Sequence, residues 1–222
     1  MFTIIDIETT GFRKYDSNNV LIPDLLEFGY INVGNDLKII NSGTLYFYED
    51  WFDIENDAQK VHKLTRAFLK EHAKDNVSNA AAMQAMLTNT IIVGKNSDGF
   101  DIPFIKSWIK KMFGQDMDIN HTTSKLMMKG YYGGYVFHSN ESTTLDLQKV
   151  YSKFWREDTG ASSSKRGSLS EYVASIPNGF EIVKSIYDDL DKERETGAHG
   201  ALYDCCMTYL VLVNYIIKNG GL

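Results

Sequence analysis

Two carboxylates in the first apolar stretch, Asp6 and Glu8 in Met-Phe-Thr-Ile-Ile-Asp-Ile-Glu-Thr-Thr-Gly, are the first residues that could do chemistry. Phe2 to Ile7 has strand composition, rich in isoleucine with an aromatic. In a strand, residues two apart share a face, so Asp6 and Glu8 project side by side while Ile5 and Ile7 pack on the other face. Two like charges on one face of an apolar strand repel, and burial sharpens the repulsion. A cation between them removes the conflict. The plain structural alternative is an edge strand whose acids meet solvent.

Asp204 is the only charged residue from Ala201 to Ile217. A helix apolar on nearly all sides is buried, and an acid is seldom buried without a partner. The structural alternative is an Asp that satisfies the helix's first turn. His199 stands just before this helix, bounded by Gly197 and Gly200. Five positions apart on a regular helix, His199 and Asp204 would diverge. With His199 in the approach and Asp204 in the first turn, both can reach one site. Asp101 follows a short apolar strand and a polar turn and opens another helix, where a negative charge suits the dipole. A capping Asp is the ordinary reading there, and Asp98 competes for the same role.

The elements that must position these groups are read from period and punctuation. Phe2–Ile7, Leu25–Val33 and Ile39–Tyr48 read as three strands of an antiparallel meander, with Gly34-Asn35-Asp36 as a turn and Gly43 as a bulge. Helical spacing follows in Asp57–Lys74, with Val61, Leu64, Phe68 and Leu69 on one side. Val77–Leu87 reads as a helix capped at Ser78 or Asn79. Thr90–Val93 reads as a buried strand, and Asp101–Phe113 as a helix that tolerates Pro103 in its first turn. Residues 114–142 hold a hairpin signal at Gly133-Gly134 between aromatic segments. Those tyrosines would also suit base stacking, with Lys125 and Lys129 near phosphates. Leu145–Trp155 reads as a helix and 157–167 as a Ser- and Gly-rich loop. Ser168–Ile176 and Phe180–Glu193 are helical, the latter ending in charges read as a solvated face. The last helix runs from about Gly200 to Lys218. Strands first, then alternating helix and strand, give an α/β fold with a mixed sheet covered by helices. The 222 residues read as a single domain, 1–222, with 114–142 and 157–167 as variable loops.

The net charge of -6 argues against a protein that coats long duplex DNA through a basic surface. It is compatible with an enzyme that holds a strand end at a cation site. The two cysteines, Cys205 and Cys206, are adjacent and point to a reducing, cytoplasmic setting without disulfides. We expect no signal peptide, and the apolar run Cys205–Ile217 is too short to span a bilayer.

Taken in order, these segments resemble the DEDDh group of 3′–5′ exonucleases, the proofreading-exonuclease superfamily with a ribonuclease H-like fold. Asp6 to Gly11 meet its Asp-x-Glu-Thr-Thr-Gly motif, and Leu26-Glu27-Phe28-Gly29 a second segment. Val61-His62-Lys63-Leu64-Thr65 meets a third, and Asn96 with Phe100-Asp101 a fourth. His199-Gly200-Ala201-Leu202-Tyr203-Asp204 meets the last. The resemblance runs from residue 2 to about residue 215. Lys95 stands where many members have His, and three residues separate Asn96 from Phe100 where two are common. Ile102-Pro103-Phe104 after the Phe-Asp pair favours Asp101 over Asp98.

The resemblance implies a metal-dependent hydrolysis that releases nucleoside 5′-monophosphates from 3′ ends. Asp6, Glu8, Asp101 and Asp204 would hold two divalent cations, Mg²⁺ or Mn²⁺, which suit oxygen ligands. His199 would be the general base, a role that suits an imidazole near neutral pH. Thr9, His62, Asn96 and Phe100 would lie near the last nucleotides. Single-stranded DNA is the favoured substrate; RNA is the nearest rival, since the catalytic residues do not distinguish the sugars. A polymerase partner is a third reading, weakened by the short stretch after Lys218. A nuclease fold retained only for nucleic-acid binding is the non-enzyme reading, and the filled catalytic positions argue against it. No membrane partner is expected.

Overall fold

The computed structural model describes residues 1–117, 127–129, 135–137 and 144–220. Its centre is β1 (Phe2–Thr9), which pairs antiparallel with β2 (Leu25–Val33) on one side and parallel with β4 (Ile91–Gly94) on the other. β2 carries β3 (Ile39–Tyr46), and β4 carries β7 (Thr144–Asp146), giving the order β3-β2-β1-β4-β7. The meander supplies the antiparallel half and the helical crossovers supply the parallel half. A separate pair, β5 (Met127–Lys129) and β6 (Tyr135–Phe137), is antiparallel. The turn at Gly133-Gly134, the stacking tyrosines between these strands, and Lys125 lie outside the described residues.

Because side chains alternate along β1, the strand feeds two cores. Ile5 and Ile7 join one with Met83 and Leu87 of α3 (Asn76–Leu87) and Phe104 and Trp108 of α4 (Asp101–Phe113). Phe2 and Ile4 join the other with α5 (Leu147–Val150), α6 (Ser152–Thr159), α7 (Leu169–Ala174), α8 (Gly179–Asp188) and α9 (Ala201–Lys218). Asp6 and Glu8 continue the second face, where α9 lies. At 18 residues and a mean hydropathy of 1.2, α9 is long and apolar enough to cross a membrane by length and composition, contrary to the shorter run read from sequence. It is nonetheless 61% buried in this fold.

Several boundaries differ from those expected. The span 57–74 is two helices, α1 (Asn56–His62) and α2 (Arg66–His72). Lys63 takes a left-handed conformation between them, and Thr65 caps the second through the Phe68 amide. The rotation this introduces leaves Val61 48% exposed instead of packed beside Leu64 and Leu69. Asp75, not Ser78 or Asn79, caps α3. The start of the expected helix 145–155 is extended, and it forms the edge strand β7. Gly43 is regularly paired with Tyr30, and the irregularity in that ladder falls at Asn32 and Val33. A Cβ at Gly43 would meet the Tyr30 hydroxyl at 2.9 Å, so the glycine makes room for a ring.

Candidate active site

The carboxylates of Asp6, Glu8 and Asp204 each place an oxygen within 4.8 Å of the others. Three local features make this approach. Asp6 and Glu8 share a face of β1 by strand alternation. Asp204 occupies the first turn of α9. Gly29, paired with Asp6 across β1 and β2, lets the start of α9 close onto the sheet. A Cβ there would meet the Ala201 carbonyl carbon at 2.5 Å and the Leu202 amide nitrogen at 2.6 Å. Any side chain at Gly29 would therefore push Asp204 away from the two strand acids.

Asp101 approaches from β4. Its carboxylate is buried, 4% exposed, at the first residue of α4, whose cap position is Phe100. It therefore sits one residue inside the helix instead of capping it. Asp98 is not the inward acid: it pairs with Lys149 at 2.5 Å and accepts the Thr144 hydroxyl. Asp101 is electrostatically felt at Asp6 and Glu8 but lies outside the three-oxygen cluster.

This crowding dominates the protonation of the group. Burial, then the charges of Asp204, Asp101, Glu8 and Glu27, hold Asp6 well above the usual carboxylate range. Burial, then Glu27 and Asp204, push Glu8 to about 9, with the Arg194 charge opposing. Burial raises Asp204 to about 7 against a hydrogen bond from the His199 amide. Burial also raises Asp101 to about 7, opposed by hydrogen bonds from the main chain of Asp101 and Ile7. Clustered oxygen donors that repel one another in the absence of a cation fit a hard divalent ion.

His199 is exposed and left-handed (φ 69°), and its main-chain N–H donates to Asp204 Oδ1 at 3.2 Å. Its backbone is thus tied to the acid cluster, while its ring lies outside the three-oxygen group. Asn96 is also left-handed (φ 66°), and its amide donates to Asp146 Oδ1 at 2.8 Å. Phe100 packs against Phe104, ring centroids 5.8 Å apart. Thr9 is buried, with its hydroxyl donating to the Gly11 carbonyl at 2.7 Å.

His62, expected near the last nucleotides, is a buried residue of the turn between α1 and α2. It is 3% exposed, and its Nδ1 accepts the Leu64 amide at 2.9 Å, closing the turn between α1 and α2. Its Nε2 lies by the Thr9 main chain without a well-formed hydrogen bond. Burial and the Arg194 charge lower it to about 4, so it is neutral at physiological pH. The ring is buried at the turn between the two helices.

Two residues near the site escaped the reading of the sequence. Arg194 lies one residue past the charged helix end read as a solvated face, and its side chain is only 14% exposed. It donates to Glu27 Oε2 at 2.8 Å and to the His62 carbonyl at 3.0 Å. Glu27 also accepts the Ala201 amide at 3.3 Å, so this pair anchors the start of α9. The acid-base alternation Glu193-Arg194-Glu195 was the only hint in sequence. Asp146, buried at the end of β7, accepts the Asn96 and Gln148 amides at 2.8 and 2.9 Å. It thereby fixes the turn that delivers Asp101, and no local pattern announced it.

Comparison with known proteins agrees with this geometry. A family model described as Exonuclease, of RNase T type, matches residues 3–153. That span includes Asp6, Glu8 and Asp101; Asp204 and His199 lie beyond it. No curated protein matches the sequence. Among solved structures, E. coli Exonuclease I in complex with a dT13 oligonucleotide is similar, with 14% identity and a TM-score of 0.61. The alignment covers 98% of this chain and 40% of that one, so this chain spans less than half of Exonuclease I. Exonuclease X in complex with 5′ overhanging duplex DNA aligns at 16% identity and TM-score 0.52, covering 100% of this chain and 95% of that one. The nuclease domain of 3′hExo, a DEDDh family member bound to rAMP, aligns at 12% identity and TM-score 0.57, covering 99% and 92%. The mixed five-stranded sheet flanked by helices is the ribonuclease H-like fold of these neighbours. With the family model spanning most of the chain and the motifs in their order, the chain belongs to the exonuclease family.

Proposed function

We propose that this chain hydrolyses the terminal phosphodiester bond at 3′ ends of single-stranded DNA, releasing nucleoside 5′-monophosphates. The observation that carries the reading is the meeting of Asp6, Glu8 and Asp204 within 4.8 Å, with Asp101 electrostatically close. Asp6, Glu8, Asp101 and Asp204 would hold two divalent cations, Mg²⁺ or Mn²⁺. When bound, such ions polarise the phosphodiester and supply an activated water. His199 takes the proton of the attacking water at an imidazole nitrogen. Its exposure at a glycine-bounded tip gives the ring room to reach the cluster, and the His199–Asp204 main-chain bond keeps its root there. Asn96 and Phe100, on the turn ahead of Asp101, would meet the last nucleotides.

The DNA preference rests on Exonuclease I and Exonuclease X, both solved with DNA. The RNA alternative has its own support in 3′hExo, solved with rAMP. The test is digestion of 3′- and 5′-labelled single-stranded DNA, duplex DNA and RNA with Mg²⁺, with Mn²⁺ and with EDTA. We expect mononucleotides from the 3′ end of single-stranded DNA, only with metal. Faster loss of the RNA would transfer the assignment to RNA. No release with either metal would leave a binding fold.

A further inference from the structure

We propose that a trough between α5–α6 and the loop 160–167 binds the phosphodiester backbone of the substrate strand, internal to the bond that is cut. The proposal rests on the exonuclease reading and adds a path for the strand. The trough has a volume of about 530 Å³ and is lined by Asn96, Asp146, Lys149, Ser152, Arg156 and Arg166, among others. It starts at the turn that delivers Asp101. Asn96 and Asp146 are hydrogen-bonded to each other, and the Asp146 charge is felt at Asp101. A strand whose end lies at the carboxylates therefore has this groove as a neighbouring channel.

Its charge is opposite to that of the cluster and of the protein as a whole. Three cationic side chains line it against one acid, Asp146, whose Oδ1 is already committed to two main-chain amides. Lys149 is paired with Asp98, but Arg156 and Arg166 pair with no carboxylate among the described residues. Their neighbours do: Lys153 pairs with Glu157, Lys165 with Glu171 and Lys218 with Asp158. Arg156 Nη1 donates to the Lys165 carbonyl at 2.9 Å, which aims the guanidinium along the loop. Arginine forks match phosphate oxygens, and the hydroxyls of Ser163 and Ser164 on the same wall add donors. In a chain of net charge -6, two arginines without an acid gathered on one wall beside the catalytic turn suit an anionic strand.

The test is fluorescence anisotropy of a 5′-labelled dodecathymidylate in EDTA, over a salt series, with the full-length chain. We expect R156A/R166A to bind at least about tenfold more weakly, and its log–log salt slope to flatten by about 1.4, two phosphate contacts at about 0.7 each. R166A, a change confined to an exposed side chain, flattens it by about 0.7. With Mg²⁺, the double variant raises KM on the dodecamer, leaves kcat unchanged, and leaves a trinucleotide's KM unchanged. Equal affinities and slopes for wild type and both variants would overturn the trough, as would equal losses on the trinucleotide. Absence of nucleotide release by the wild type sinks the exonuclease reading separately, while the EDTA titration still decides the trough.

Discussion

Two groups of acids, one buried and one half-buried, lie close together and are treated in opposite ways. Glu27 is 2% exposed and is met by Arg194 at 2.8 Å and by the Ala201 amide. Asp24, 4% exposed, is met by Lys111 at 2.6 Å. Asp6, Glu8 and Asp204 instead face one another, and the nearest arginine is spent on Glu27. The fold can supply a cation to a buried carboxylate and does so one strand away. Three acids left without a cation, two on β1 and one on α9, form a place suited to a counter-charge from solution. Burying like charges without one would cost several kcal/mol for each ion.

The largest effect comes from removing one of the unpartnered acids. Asp6→Ala or Asp204→Asn is expected to lower metal-dependent release by about a thousandfold or more, the loss of several kcal/mol of transition-state stabilisation. The fold is retained, since each change relieves repulsion. Steady-state cleavage with circular dichroism on the same samples checks both halves; full activity in either variant breaks the comparison. Next, His199→Ala is expected to lose about 10²- to 10⁴-fold in kcat while metal affinity stays unchanged. Lost metal affinity in that variant would make His199 a ligand.

Arg194→Ala converts the paired acid into an unpaired one. It leaves Glu27 buried and uncompensated, which should cost about 3–5 kcal/mol in urea unfolding. The double variant E27Q/R194M should recover much of that loss. A single variant as stable as wild type would show that the pair is not what anchors the start of α9.

A smaller, graded effect follows from protonation. Unfolded carboxylates titrate near pH 4, whereas folded Glu8 is pushed to about 9, and Asp101 and Asp204 to about 7. Between those limits the folded chain binds more protons than the unfolded one, so stability falls as pH rises. In EDTA, the melting temperature should therefore drop between about pH 5 and pH 9, most steeply below pH 7, and saturating Mg²⁺ should flatten that drop. A metal-free curve that rises over this window would contradict the shifts.

How much of this was legible in the sequence depends on how local each cause is. β1 to β3 and α4 were readable because alternation, turn residues and helical spacing are written into neighbouring positions. The mutual approach of Asp6, Glu8 and Asp204 was readable only because their motifs come as an ordered set. β7 was misread because Leu147, Tyr151 and Trp155 do follow helical spacing. What makes Thr144–Asp146 extended is the vacant edge of β4, a partner fifty residues away that no local pattern names. Arg194 was missed for a similar reason: its acid, Glu27, is 167 residues distant. The break at Lys63 carries no glycine or proline; His62 makes it by taking the Leu64 amide.

The most direct measurement of the central claim is calorimetric titration of Mn²⁺ into the nucleic-acid-free chain, wild type beside E8Q and D204N. The account predicts saturable binding by the wild type and at least about a tenfold loss of affinity in each variant, with the fold intact. Equal affinity in all three proteins would contradict it, because the acids left without a partner would then not be where the cation sits.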